Sequence, residues 1–398
     1  MRTELDLAAL RESTPGCTSR VHLNNAGAAL PTSATLDAVV GHLRIEAEMG
    51  GYEAAALRAP ELAACLDTAA EALGAAPDEV SLTTSDTSAW TKAFWGYALG
   101  GGLTAGRRIV VDRAVYNSHH LAVLQAVRHL GVQVDVIGAG TDGPVDLAAL
   151  AGLLGPKVAL VTVTHVPTHS GAVAPVHEVG EMARRAGVPF FLDACQSVGQ
   201  IPVDVREIGC DVATVTGRKW LRGPRGTGLL YVRGEFADRL DPPGVDATSA
   251  EWSENGDDYT LMPSSGRFCE FEQSIAAQLG LGVAIQEMLA LGVDVVHDRI
   301  VGLASHLRGL IAEAPGLRCT DEGRELSGIV TFAVDGRDAD SVAADTHAAG
   351  INVSVSRAIN SRIEFHDRGL DTIVRASPHV YNTTDELDML VQVVTDGG

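Results

Sequence analysis

The sequence predicts an α/β fold built on a mainly parallel sheet, followed by a smaller α+β domain, and three observations indicate this. Between residues 80 and 232, apolar runs of strand length alternate with segments of helical periodicity, the pattern of a parallel sheet with right-handed crossovers. Several apolar runs end on polar residues, where open α/β sheets bind ligands. From about residue 295 the order of elements becomes irregular, and Thr383 and Glu386 have the spacing of a capping box before a last helix.

Composition restricts the classes of function. The chain has 398 residues, enough for a large and a smaller domain, and a formal net charge of −21 argues against nucleic acid or an anionic membrane as a partner. Its six cysteines are scattered without a C-x-x-C pair, which favours reduced thiols and no zinc site. The chain opens without a signal-like segment, and no apolar run reaches ~18 residues. We therefore expect a cytoplasmic protein with a small-molecule partner.

Lys219 is the candidate reactive group. It lies between the apolar runs 212–215 and 229–232, among hydroxyls, glycines and arginines. A lysine crowded by arginines should lose its proton more easily than the free side chain, whose pKa is about 10.4. An amine that attacks a carbonyl to form a Schiff base has this requirement. Taken alone, the stretch could equally be a basic surface hairpin.

Asp193 changes the interpretation of that lysine. It follows the apolar run 189–192, and an acid at the carboxyl end of a strand faces the ligand crevice. There an aspartate can keep a pyridine nitrogen protonated while a lysine holds the aldehyde of the same ring. The pair resembles the fold-type I pyridoxal-phosphate enzymes, and more closely their class V aminotransferase and cysteine desulfurase branch. The branch motif Ser/Thr-x-His-Lys-x-x-x-Gly-Pro-x-Gly-x-Gly is matched by residues 216–228, except that Arg218 replaces histidine.

The resemblance implies the architecture and the assembly. It implies a fold-type I transferase fold with a mostly parallel, seven-stranded type of sheet. We expect an N-terminal arm (1–20), a large domain that binds pyridoxal 5′-phosphate (21–290) and a small C-terminal domain (291–398). Members of the branch have their sites at a subunit interface, so the resemblance also implies a homodimer.

A hydroxyl-rich turn after the apolar run 80–83 is the candidate phosphate site. A helix begins there around Thr87, and helix N-termini bind phosphate, although Ser85, Asp86 or Thr87 could simply cap the helix. The resemblance favours phosphate, with Asp86 contributing its backbone amide. It implies further cofactor contacts from Tyr116 on the pyridine ring, Thr168 or His169 and Gln196 near the phenolic oxygen, and Thr216, Arg218 and Lys219 in the lysine motif.

Tyr116 and the two histidines that follow it permit a second interpretation. Tyr116 could be a tyrosine packed at the end of a strand. His119 and His120 suggest a metal ligand pair, but adjacent histidines point apart and no third ligand has suitable spacing. We therefore expect no metal site.

Two segments are candidates for substrate binding. Residues 25–27 (Asn25, Ala26, Gly27) are small enough for a close backbone approach, although they could form an ordinary turn; the resemblance implies that they form one wall of the substrate site. Arg375 ends a predicted strand, and its planar guanidinium suits a carboxylate. An internal ion pair with Asp367 or Asp371 is the alternative. The family pattern Arg-x-Ser-x-x-x-Tyr-Asn-Thr implies that Arg375 binds the substrate α-carboxylate.

The reaction is predicted from what the sequence lacks and from local resemblances. Cysteine desulfurases carry a persulfide-forming cysteine in the stretch that corresponds to 356–362, which has none here, and the Gly-Thr that usually follows Arg267-Phe268 is missing. Residues 216–226 resemble ergothioneine-pathway C–S lyases and isopenicillin-epimerase-like proteins. We predict β-elimination from an S-substituted cysteine in sulfur-containing secondary metabolism, giving a thiol or sulfenic acid, pyruvate and ammonia. A decarboxylating deaminase, an epimerase, an aminotransferase and a non-catalytic regulator remain alternatives.

Overall fold

The computed structural model describes residues 5–141 and 143–397. The helices are α1 (Leu7–Glu12), α2 (Ser33–Met49), α3 (Gly51–Leu57), α4 (Ala59–Leu73), α5 (Asp86–Leu99), α6 (Asn117–Leu130), α7 (Leu147–Leu153), α8 (Val176–Ala186), α9 (Val205–Ile208), α10 (Gly234–Ala237), α11 (Ile275–Leu291), α12 (Val293–Glu313), α13 (Ala339–Ala348), α14 (Arg362–Asp367) and α15 (Thr384–Asp396). The strands are β1 (Val21–His22), β2 (Val80–Thr83), β3 (Arg108–Asp112), β4 (Gln133–Ile137), β5 (Val158–Thr164), β6 (Phe190–Asp193), β7 (Val212–Thr216), β8 (Gly228–Val232), β9 (Ala250–Trp252), β10 (Tyr259–Leu261), β11 (Leu317–Cys319), β12 (Val330–Val334), β13 (Ile351–Asn352), β14 (Ser354–Arg357) and β15 (Thr372–Ala376).

A seven-stranded sheet forms the centre of the molecule, in the order β2-β8-β7-β6-β5-β3-β4. The pairs from β7 to β4 are parallel, whereas β8 is antiparallel to both of its neighbours. Every residue of β5 is buried, as expected for a parallel strand covered on both faces. The predicted mainly parallel sheet is therefore confirmed.

Helices cover both faces of this sheet. One face packs against α4, α8 and α11, and the other against α5 and α6. Successive strand residues alternate between the two cores, since Val110 belongs to the first and Ile109 and Val111 belong to the second. The sheet is consequently held on both sides, and its carboxyl edge is left for a ligand.

The region after α11 is built on a second sheet, antiparallel, in the order β11-β12-β15-β14. Its core contains residues of α12, α13 and α15. The capping box at the start of α15 is present, because Thr383 Oγ1 accepts from the Glu386 amide at 3.2 Å and Glu386 Oε2 accepts from the Thr383 amide at 3.2 Å. The α+β arrangement predicted after residue 295 is therefore confirmed.

The N-terminal strand β1 belongs to neither sheet. It pairs in parallel with β13, with Val21 opposite Ile351, and Asn24 forms a further bridge to Ser377. The segment that starts the predicted large domain, 21–290, is thus attached to residues of the predicted small domain.

Local structure differs from the prediction in two places. The sequence predicts helices at 34–49 and 58–74 separated by Gly50, Gly51 and Tyr52, but only Gly50, with φ 103°, turns the chain, and α3 begins at Gly51. Residues 233–262, expected to be irregular, contain α10 and the antiparallel hairpin of β9 and β10. No single helix in the described ranges is long and apolar enough to cross a membrane; α11 and α12 reach that composition only together, and they meet at 83°.

Candidate active site

A cavity of about 290 Å³ opens at the carboxyl edge of the large sheet. The last residues of β5, β6 and β7 line it, together with the start of α5, at the place where open α/β sheets bind ligands. Of the two alternatives Thr168 and His169, only Thr168 lies on its walls, together with the other predicted cofactor contacts: Asp86, Thr87, Tyr116, Asp193, Gln196, Thr216, Arg218 and Lys219. The structure thus brings together residues from five separate segments of the sequence.

Lys219 reaches this cavity from the turn that follows β7. The residue is 8 % exposed, and its Nζ donates a hydrogen bond to Cys195 Sγ at 3.2 Å. The turn is closed by hydrogen bonds from the Gly217 amide to the Thr227 carbonyl and from the Gly223 amide to the Gly217 carbonyl. The amine is consequently held in a buried position by packed backbone, which excludes the surface-hairpin alternative.

Asp193 ends β6 beside this lysine. Its Oδ1 accepts from the Cys195 amide at 2.9 Å, and its Oδ2 lies 3.4 Å from His119 Nδ1. Burial, followed by the nearby charge of Asp86, raises the pKa of the Asp193 carboxyl to about 6. A buried carboxylate of this kind gains from a positively charged partner, such as a protonated ring nitrogen.

His119 is a site residue that the sequence interpretation missed. It lies in α6 at 1 % exposure, its Nε2 is 3.0 Å from Asp86 Oδ2, and its ring stacks on Trp90 at 4.1 Å between centroids. Burial opposes its protonation, but the charges of Asp86 and Asp193 outweigh burial and raise the pKa of His119. The available signal was Asp86 itself, an acid at a helix start that is predicted to bind phosphate.

The Asp86 carboxylate is therefore engaged by His119. Burial favours its neutral form, but the charge and hydrogen bond of His119 outweigh burial and hold the pKa of Asp86 below its usual value. Ligand atoms of Asp86, Asp193 and Cys195 lie within 4.8 Å of one another, a spacing that could suit a metal ion. Because His119 and Lys219 already contact these atoms, we retain the expectation of a metal-free site.

Gln196 and Thr168 form the next part of the wall. Gln196 Nε2 donates to Thr168 Oγ1 at 2.8 Å and to the Ala26 carbonyl at 3.0 Å, while its Oε1 accepts from Trp220 Nε1 at 2.9 Å. Thr168 Oγ1 also accepts from Arg375 at 2.7 Å. Gln196 therefore has both amide protons in use, whereas the Thr168 hydroxyl proton is left for a ligand oxygen.

Arg375 is buried above Thr168 without an acidic partner. It is 6 % exposed, and its guanidinium contacts Thr168 and, at 3.2 Å, Asn24 Oδ1. Across the described ranges no carboxylate forms an ion pair with it, and Asp367 pairs with Arg113 instead. Burial lowers the pKa of Arg375 to about 10. An uncompensated buried charge is costly unless a ligand supplies the opposite charge.

The segment 25–27 lies behind these groups and not on the cavity wall. The Asn25 side chain is committed to the Ser377 carbonyl and the Tyr381 hydroxyl. Ala26 and Gly27 offer their carbonyls to Gln196 and Arg218. A Cβ at Gly27 would come within 2.6 Å of Asn24 Oδ1, so glycine keeps Asn24 available to Arg375. Asn24 was not singled out in the sequence, and the predicted substrate contact of residues 25–27 stays a prediction.

The opposite end of the cavity is suited to a phosphate. Ser85 caps α5 by accepting from the Ser88 amide at 3.1 Å, and Thr84, Thr87 and Arg218 line the wall nearby. The first amides of α5 and its dipole favour an anion at this point. Arg267 is not available here, because it binds the carbonyls of residues 237 and 240 and pairs with Asp238.

These groups define a class of protein. A buried lysine, a buried carboxylate at the end of the adjacent strand, a helix N-terminus at one end and an unpaired buried arginine at the other fit pyridoxal phosphate together with an amino acid. The chain is a pyridoxal-phosphate-dependent enzyme. Residues 21–390 match the family model described as aminotransferase class-V, and the chain belongs to this family.

Known proteins similar to the chain agree with this assignment. A probable hercynylcysteine sulfoxide lyase of Mycobacterium tuberculosis (strain CDC 1551 / Oshkosh) is 32% identical over 383 residues, which cover 94% of this chain and 89% of the relative. A probable cysteine desulfurase of Methanothermobacter thermautotrophicus is 31% identical over 332 residues, 81% of this chain and 80% of the relative. The apo structure of a cysteine desulfurase from Thermococcus onnurineus NA1 superposes with a TM-score of 0.90 at 23% identity, covering 100% of this chain and 99% of that one. The predicted family, fold and cofactor are confirmed. The names of the two sequence relatives, a lyase and a desulfurase, agree with cleavage of a C–S bond in a cysteine-type substrate.

Proposed function

We propose that this enzyme cleaves the C–S bond of an S-substituted cysteine by β-elimination. The observation that carries the proposal is that burial keeps the one thiol among the described cavity residues, that of Cys195, in its neutral form. Cys195 is the one cysteine on the described cavity wall, and burial raises its pKa far above the usual thiol value. A persulfide route needs a thiolate as nucleophile, whereas β-elimination needs none.

The residues around the cavity have separate tasks in this reaction. When bound, pyridoxal phosphate supplies an aldehyde for the substrate amine and a ring that accepts electrons released at Cα. Lys219 would remove the Cα proton as a general base and deliver it to the departing sulfur as a general acid. Arg375 binds the α-carboxylate and so fixes which Cα bond faces the ring.

The overall conversion consumes one water. The S-substituted cysteine and water give a thiol, pyruvate and ammonia; from a sulfoxide, a sulfenic acid leaves in place of the thiol. The relative named as a sulfoxide lyase, which aligns with 94% of this chain, supports inclusion of sulfoxides in the substrate class. We propose a role in sulfur-containing secondary metabolism, in the cytoplasm.

A product screen tests this proposal. Holoenzyme is incubated with S-alkyl and S-aryl cysteines and their sulfoxides, and pyruvate, ammonia, carbon dioxide and aldehyde are measured together. We expect pyruvate and ammonia in equal amounts, and we expect Lys219→Ala to lose both the cofactor's visible absorbance and pyruvate formation. Carbon dioxide and aldehyde without pyruvate would identify a decarboxylating deaminase instead. Wild-type protein that stays colourless with added cofactor would contradict catalysis altogether.

We also propose that the enzyme is a homodimer. Apolar side chains are exposed on α2 and α3 and on the segment before α11: Leu36, Leu43, Tyr52, Leu57 and Phe271. The rings of Tyr52 and Phe271 lie with centroids 6.4 Å apart, so α3 and the segment before α11 share one exposed apolar surface. Exposed apolar surfaces of this kind mark protein interfaces. Sedimentation should show a dimer that Tyr52→Glu weakens. An active wild-type monomer would contradict the proposal.

A further inference from the structure

A buried chain of charged groups extends from the cavity wall into α6. His119 lies between two carboxylates, with Nε2 3.0 Å from Asp86 Oδ2 and Nδ1 3.4 Å from Asp193 Oδ2. The three side chains are 1–7 % exposed. Trp90 stacks on the imidazole, its ring inclined by 13°. In this orientation Nε2 is hydrogen-bonded to Asp86, while Nδ1, which has no hydrogen-bond partner among the described residues, lies at ion-pair distance from Asp193.

We infer that Asp86 and His119 are positioning residues that keep the Asp193 carboxylate ionised and directed at the cofactor's ring nitrogen. A protonated imidazole donates from both nitrogens and can serve two carboxylates at once. Asp86 has no other charged hydrogen-bond partner among the described residues, and its role is to hold that proton on His119. The inference rests on the cofactor assignment and does not depend on which cysteine conjugate is the substrate.

The charges that face Asp193 decide whether it stays ionised. Asp86 from α5 and Asp112 from β3 oppose its charge, while His119 from α6 and Lys219 after β7 favour it. Asp112 is held apart by the amides of Thr164 and Ala114, both at 2.7 Å. Cys195 and Tyr116 complete the surroundings, and burial raises the pKa of both, so both stay neutral. His119 is therefore the one cation besides Lys219 that offsets this acidic cluster in the described structure.

The matched control lies next to His119 in the same helix. His120 is a half-buried histidine whose Nδ1 has no hydrogen-bond partner, and burial lowers its pKa. His119→Asn and His120→Asn make the same chemical change one position apart. His119→Gln adds a variant whose longer amide can still reach a carboxylate without carrying a charge.

The test compares two ligands of the apoprotein. One is pyridoxal phosphate, and the other is its analogue in which C–H replaces the ring nitrogen. Only the first presents a ring proton to Asp193. We expect His119→Asn to weaken pyridoxal phosphate binding by about tenfold or more, since hydrogen bonds to charged groups contribute that much. Binding of the analogue should change by less than about twofold, and His120→Asn should alter neither.

Two further measurements distinguish positioning from general structural damage. In His119→Asn holoenzyme the pH midpoint of the visible absorbance should move upward, because a neighbouring positive charge is gone, and kcat should fall with KM nearly unchanged. Asp86→Asn should move the midpoint much less, because it removes a negative charge together with the proton that this charge holds on His119. Equal loss of affinity for both ligands, or His119→Asn behaviour matching His120→Asn, would overturn the inference. If His119→Asn does not fold, His119→Gln gives the same comparison.

Discussion

Two buried cations of the site have opposite surroundings. His119 lies between Asp86 and Asp193, whereas Arg375 contacts only hydroxyl, carbonyl and amide oxygens. The first charge is already compensated within the protein, so it can support a neighbouring group. The second is uncompensated, so it gains most when a ligand brings a carboxylate. The difference assigns the His119 end to the cofactor ring and the Arg375 end to the substrate acid.

Arg368 is a third buried cation, and its charge is paired with glutamates of the protein itself. Its side chain is 4% exposed and pairs with Glu364 at 3.1 Å and Glu322 at 3.3 Å. It also donates to the carbonyls of residues 169 and 320. This arginine joins the C-terminal region to the loop after β5, and both of its terminal nitrogens donate to acceptors within the protein.

The largest expected effect contrasts the two arginines in folding. Arg368→Met removes one partner of a buried ion pair, so the free energy of unfolding should fall by about 3–5 kcal/mol. Arg375→Met removes a buried charge that has no acidic partner, so the apoprotein should change by less than about 1 kcal/mol. Urea unfolding of both apoproteins measures this. Equal losses would mean that Arg375 is a structural residue after all.

The second prediction concerns the effect of Arg375 on kcat/KM, in contrast to its small effect on folding. Arg375→Ala should cost about 2–5 kcal/mol in kcat/KM, because it leaves the substrate carboxylate unpaired in a buried site. A substrate whose α-carboxylate is converted to the carboxamide should lose little further activity in the variant. Steady-state kinetics of wild type and Arg375→Ala with both substrates measures the coupling. If Arg375→Ala lowered kcat/KM equally for the carboxylate and the carboxamide substrates, Arg375 would not contact the α-carboxylate directly.

The third prediction concerns the pH dependence of the apoprotein's stability, which reports on Asp193 beside His119. The folded pKa of Asp193 is about 6, above the ordinary 3.8, so the folded state binds the extra proton between these values. Stability should therefore fall as pH rises from about 4 to 6, at about 1.4 kcal/mol per pH unit for one proton. Asp193→Asn should reduce this slope in urea unfolding at four pH values, and Asp112, whose pKa burial raises to about 7, should still contribute a slope of the same sign. An unchanged slope would mean that Asp193 does not titrate there.

The smallest expected effect concerns Cys269, a thiol that lies outside the cavity. Cys269 follows the Arg267-Phe268 pair and does not line the cavity. Cys269→Ser should leave turnover within about tenfold, a barrier change under ~1.4 kcal/mol. Pyruvate formation rates measure it. Loss of activity beyond that would return a cysteine-dependent route to consideration.

The sequence predicted those features whose signal is local. The alternation of strand-length and helical segments between residues 80 and 232 is present in the structure, where helices α5 to α9 lie between β2 and β8 along the chain. The polar residues Asp193 and Lys219 at the ends of apolar runs do meet in one cavity, because parallel strands present their carboxyl ends on the same edge.

The missed features depend on contacts between distant segments. His119 was judged against its neighbour His120, but its partners come from β6 and from the start of α5. β1 and β13 have two residues each, too short for any period to be read. Burial of the Arg375 side chain decided between a ligand contact and an internal ion pair, and burial is a property of the packed chain that local patterns do not contain.

The pairing of β1 with β13 sets the order in which a nascent chain can complete its site. Val21 leaves the ribosome early, yet its partner Ile351 follows only after the whole seven-stranded sheet has been made. At ribosomal rates of about 5–20 residues per second, that delay is on the order of half a minute. The cofactor end of the cavity, drawn largely from residues 84–226, is synthesised within this interval, whereas Asn24 and Arg375 meet only at its close. The residues that line the cofactor end are therefore synthesised long before Asn24 and Arg375 can meet.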